Sequence, residues 1–137
     1  MLPLEARQQK IHVICLVEYD GQILLLRGSQ YTDRASSGSI GYFGLPRFTL
    51  RFGVDPVDLI MREFNEQFGQ QIKSSTIMSV SERLTDRHTQ VVELVYRVLV
   101  EKPIVAKTGC YLFSHVDDLE KYVLPHELER LRNWLSS

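Results

Sequence analysis

The chain has 137 residues, 44% of them hydrophobic and 24% charged, which is an ordinary globular composition with enough length to bury a core. Lys and Arg number 16 against 17 Asp and Glu, so the formal charge is −1 and gives no electrostatic case for a nucleic-acid or membrane-surface partner. No apolar run approaches the ~20 residues of a membrane span, and Met1 to Arg7 lack the layout of a signal peptide. A single cytoplasmic domain over residues 1–137 is therefore expected.

In chain order, residues 11–18 (IHVICLVE) and 22–26 (QILLL) read as strands joined at a tight turn by Asp20-Gly21. Residues 27–38, rich in Ser and Gly, read as a loop, and 40–50 as a short strand and a turn around Gly44 and Pro46. The clearest helix runs from Asp55 to Phe68, with Asp55 as N-cap, Pro56 at the first helical position and Gly69 as the stop. Residues 76–84 and 90–100 follow as strands, the second rich in β-branched side chains. After a loop at 101–107 come a short strand at 109–114, a helix from Asp117 to about Val123, and a last helix opened by Pro125 and running to Leu135. This order predicts an α+β fold, a mixed β-sheet between helices.

Cys15 lies in an apolar run and reads as a small core residue; Cys110 is distant, so neither a zinc site nor a disulfide scaffold is indicated. On the Asp55–Phe68 helix, Val57, Ile60, Met61, Phe64 and Phe68 form an apolar stripe beside one carrying Glu63, Glu66 and Gln67. Carboxylates three residues apart repel each other, and a divalent cation such as Mg²⁺ or Mn²⁺ is one way to relieve that repulsion. A solvated helix face with Arg62 as an ion-pair partner is the other.

The stretch from Leu45 to Gly69, LPRFTLRFGVDPVDLIMREFNEQFG, resembles the box of the Nudix hydrolases, G-x5-E-x7-R-E-U-x-E-E-x-G-U, where U is aliphatic. Leu45-Pro46 match a frequent Leu-Pro ahead of the box, Gly53 and Pro56 match common inner positions, and Arg62, Glu63, Phe64, Glu66 and Gly69 fall on R, E, U, E and G. The resemblance implies an α/β/α sandwich and a pyrophosphohydrolase of nucleoside-diphosphate-type substrates. Glu63 and Glu66 would hold Mg²⁺ or Mn²⁺, and Arg62 would belong to the catalytic set. The match is degenerate over about residues 47–70: Arg47-Phe48 replace two glycines, Val54 and Gln67 replace two glutamates, and Gln70 takes the closing aliphatic position, with Ile72 nearby. Val54 cannot orient Arg62, and Gln67 keeps an oxygen but drops a charge, so a multi-metal cluster is not expected.

Three arginines are candidate substrate ligands. Arg27 ends the second strand, where the family often carries an arginine near the phosphates. Arg87 lies in the turn Asp86-Arg87-His88, which also reads simply as a turn. Arg47 is placed to reach a phosphate in lieu of metal charge. Tyr31, Tyr42 and Phe43 are candidate base-stacking residues against a core role, Glu93 reads on the solvent face of its strand, and Glu101 is a further loop acid. His115 and His126 read as surface residues. The expected ligand is a small-molecule nucleotide or phosphoanhydride, with no nucleic acid and no membrane, and the resemblance adds a homodimer. Two functions follow: a weak or unusual hydrolase, or an inactive module that senses a nucleotide or contacts a protein partner.

Overall fold

The computed structural model describes residues 8–27, 43–85, 87–102, 104 and 111–136. The expectations for Tyr31, Tyr42, Asp86, Cys110, the loop at 28–38 and most of 103–110 lie outside them.

Strand β1 (Gln8–Tyr19) is the axis of the sheet. Asp20 and Gly21, at φ of 48° and 75°, turn it back into β2 (Gln22–Arg27). A turn with both central residues in the left-handed region suits Asp-Gly and matches the twist of the strands. Short strands β3 (Phe43–Gly44) and β4 (Arg47–Thr49) follow, then helix α1 (Pro56–Phe68), strands β5 (Ile72–Leu84), β6 (Thr89–Val100) and β7 (Tyr111–His115), and helix α2 (Pro125–Leu135). The span read as a helix from Asp117 is a 3₁₀ segment, Val116–Lys121. Strand β5 begins four residues before the expected start at Thr76, and irregular register at Ile72/Ser74 and Ile77/Ser79 blurs its alternation.

The sheet runs β3-β2-β1-β6-β5, with β4 paired to β1 and β7 to β2. Strands β1 and β6 are parallel from Gln8↔Thr89 to Glu18↔Leu99, while β1 is antiparallel to both β2 and β4, so the sheet is mixed. Alternate side chains of β1 feed opposite faces. Val13, Cys15 and Val17 join Phe48, Leu59, Ile60 and Phe64 under α1. Leu16 joins Ile23, Leu25, Leu119, Val123 and Leu131 under α2. Among the described residues no helix is long and apolar enough to cross a membrane.

Helix α1 forms as its ends dictate. The Asp55 carboxylate accepts from the Val57 and Asp58 N–H groups, and Gly69 closes the helix at φ 63°. The apolar stripe needs one correction: Met61 is exposed, whereas Leu59 is buried. The chain entering the helix folds back over the Leu59 side, where Phe48 and Val54 share a wall with it, and leaves the Met61 side open.

Candidate functional site

Helix α1 and the segment before it enclose an open cavity of about 520 Å³ lined by Phe48, Thr49, Arg51, Val54, Leu59, Arg62, Glu63 and Glu66. Phe48, Val54 and Leu59 supply its apolar lining. Phe48 is buried and meets Phe64 edge-on at 6.4 Å, so a ring fills the space a glycine would leave. Val54 packs against the same core and presents no polar atom. Its side chain therefore cannot orient Arg62, and among the described residues Arg62 makes no ion pair.

The cavity does bring Glu63, Glu66 and Arg62 together, as their spacing on one helix requires. It also brings in Arg51, which sequence reasoning missed because no motif position marks it. Two guanidiniums and two carboxylates thus share one open space. Gln67 Nε2 donates to Glu63 Oε2 at 2.7 Å, so the amide presents its donor, not its oxygen, to that carboxylate. Among the described residues no group of three or more His, Cys, Asp or Glu side chains is placed to hold a metal ion. The available set is two carboxylates of oxygen-donor chemistry suited to a hard divalent cation, and one of them is already hydrogen-bonded.

The other candidates lie elsewhere. Arg47 neighbours Phe48 on β4 and therefore faces the opposite side of the sheet, lining a small recess with Ile14, Leu45, Glu127 and Trp134. It is not turned towards the α1 cavity. The reason is Glu93, which is not on a solvent face but 1% exposed. Arg47 Nη2 donates to Glu93 Oε2 at 3.4 Å, Arg130 Nη2 donates to Oε1 at 2.5 Å, and Arg83 lies 3.9 Å from Oε2. A carboxylate withdrawn from water needs compensating charge, and three elements supply it. Arg130 also stacks over Trp134, 4.9 Å from the ring centroid.

Arg87 is exposed at the hairpin between β5 and β6 and is not among the residues lining the α1 cavity. Arg27 ends β2 opposite Phe43, and its side chain lies outside the described residues, as does that of His126. Phe43 packs edge-on against Tyr122 at 5.8 Å, a core role. Glu101 and His115 are exposed. Cys15 is fully buried, and burial pushes its thiol well above the ordinary range.

The overall fold is shared with solved structures. A MutT protein from Bacillus halodurans superimposes with a TM-score of 0.69 at 15% identity, covering 93% of this chain and 83% of that one. The chain has the Nudix fold. A Nudix hydrolase from Nitrosomonas europaea gives a TM-score of 0.66 at 14% identity, with 93% and 89% covered. The Nudix domain of Shewanella oneidensis NrtR, solved in complex with ADP ribose, gives 0.64 at 13% identity, with 95% and 86% covered. No protein-family model and no curated protein matches the sequence.

Proposed function

We propose that this chain binds a nucleotide-type phosphoanhydride in the α1 cavity and hydrolyses it weakly, with one loosely held Mg²⁺ or Mn²⁺. The observation that carries the reading is the convergence of Arg51, Arg62, Glu63 and Glu66 on one open cavity. Guanidiniums are shaped to take phosphate oxygens in pairs, and their fixed charge substitutes for part of what a metal cluster would provide. Glu63 and Glu66 would hold the ion, which when bound would neutralise phosphate charge and lower the pKa of water. Arg51 and Arg62 position the phosphates against the apolar floor of Phe48, Val54 and Leu59, and Glu66, free of the Gln67 contact, accepts the proton of the attacking water. The neighbours that share the fold include hydrolases and a domain complexed with ADP ribose, which supports a ligand of this class.

A second reading is a module that binds without turnover. The Gln67–Glu63 hydrogen bond favours it, because it engages a carboxylate that an ion would need. Thermal-shift measurements with nucleoside diphosphates and Mg²⁺ or Mn²⁺, paired with a phosphate-release assay, separate the two. Metal-dependent stabilisation with turnover that Glu63→Gln abolishes supports the hydrolase. Stabilisation without turnover supports the binding module, and no response to any ligand sinks both.

A further inference from the structure

The sheet ends on one side in β5, 13 residues long, whose single strand partner among the described residues is β6. Such an edge presents a row of unpaired N–H and C=O groups, a template for another strand. Residues directly opposite in an antiparallel pair share a face, so the β5–β6 register assigns each β5 side chain to one. Ile72, Ser75, Ile77, Val80, Glu82 and Leu84 pair with the β6 residues that share a face with Tyr96 and Val98, the α1 face. Of the apolar residues among them, only Ile72 joins the core under the helix. Ile77, Val80 and Leu84 are 49%, 63% and 75% exposed and form an apolar row along the edge.

The order of these residues is self-complementary. A second copy turned about a two-fold axis normal to the sheet lays its β5 antiparallel to this one and keeps every side chain on its own face. Positions are counted along the β5–β6 ladder, in which Lys73 and Met78 have no partner of their own. With the axis at Ser79, Ile77 meets Val80 of the second copy, Ile72 meets Leu84, and Ser75 meets Glu82. On the other face Ser79 meets itself, Thr76 meets Ser81 and Ser74 meets Arg83, so no like charges stand opposite each other. Moving the axis to Val80 sets Ile77 against Glu82, and moving it to Ile77 sets Ile72 against Glu82. The Ser79 register matches apolar to apolar along the whole strand, and its neighbours do not. We propose that β5 is a homodimer interface, in which two copies join edge to edge about Ser79 into one continuous sheet. The proposal is independent of what the α1 cavity binds.

Sedimentation velocity of the 137-residue chain between about 1 and 100 µM tests it, with a dimer of twice 15.9 kDa expected to prevail above about 10 µM. Val80→Lys sets an ammonium against Ile77 twice across the axis and should raise the dissociation constant at least about a hundredfold. Val80 is largely exposed in the single chain, so the far-UV spectrum of this variant should not change. In a Cys110→Ser background, Ser79→Cys should form a covalent dimer on oxidation, since opposed Cα atoms lie within disulfide reach, whereas Thr76→Cys, which faces Ser81, should not. A dimer that survives Val80→Lys, or cross-linking at Thr76 as ready as at Ser79, overturns the proposal. A chain still monomeric at about 100 µM also overturns it and leaves the edge to a strand of a different protein.

Discussion

Replacing Arg130 with alanine removes the shortest contact of a carboxylate that has almost no access to water. Glu93 is 1% exposed, and its Oε1 accepts from Arg130 at 2.5 Å, while Arg47 and Arg83 approach Oε2 at 3.4 and 3.9 Å. Removing one partner of a buried pair typically costs about 3–5 kcal/mol, because the remaining charge stays desolvated. Two guanidiniums remain here, and the Arg130 side chain is 32% exposed, so solvent screens part of the lost interaction. Stacking of Arg130 on Trp134 returns roughly 0.5–1 kcal/mol to the loss. The expected destabilisation is about 2–3 kcal/mol, or a fall in Tm of roughly 8–12 °C for a chain of this size. Urea unfolding and a thermal melt measure it, with the Glu93→Leu/Arg130→Met double variant as comparison. The double variant should be less destabilised than Arg130→Ala, since the buried carboxylate is gone and the guanidiniums left without it, Arg47 and Arg83, keep some access to water. An Arg130→Ala cost below about 0.5 kcal/mol, or a double variant worse than the single one, would show that Glu93 does not depend on Arg130.

Three further outcomes are expected. Gln67→Glu exchanges an amide donor for a second charge beside Glu63 and should raise Mg²⁺ affinity at least about tenfold, read by calorimetry; an unchanged affinity would mean that no ion binds on this face. Asp55→Ala removes the acceptor for the Val57 and Asp58 N–H groups and should lower stability by about 1 kcal/mol in urea, whereas no loss would show the cap to be idle. Burial, the first cause in each case, raises the Cys15 thiol and the Tyr96 phenol above their ordinary values near 9 and 10. Both groups hold their protons longer in the folded chain than in the unfolded one, so their contribution is complete below about pH 9 and is lost as pH rises beyond it. Unfolding free energy measured across pH 8 to 11 should fall, and Cys15 should resist thiol reagents at pH 8 until the chain unfolds; rapid native-state labelling would contradict its burial.

The charged residues of α1 and of β4 serve different faces of the sheet. On the α1 side Arg51 and Arg62 share a cavity with Glu63 and Glu66. Arg47 replaces a glycine of the resembling box, yet its guanidinium serves the α2 side by meeting Glu93. A one-residue step along β4 separates Phe48, which fills the core under α1, from Arg47, which crosses to the other face.

What the sequence determined by itself was local. Asp20-Gly21 set the first hairpin, and Asp55, Pro56 and Gly69 set both ends of α1. The spacing of Glu63 and Glu66 put two carboxylates on one helical face before any packing was known. Those features depend on neighbours within a turn or two, where backbone dihedrals, caps and side-chain periodicity act directly. Tertiary structure alone decided the burial of Glu93, the direction of Arg47, the arrival of Arg51 in the cavity and the exchange of Met61 for Leu59. Each depends on which strand lies next to which and on how the chain before α1 folds over it. Glu93 shows the difference most plainly: alternation along β6 offers it two faces, and only the arginines from β4, β5 and α2 make the buried one tolerable for a charge.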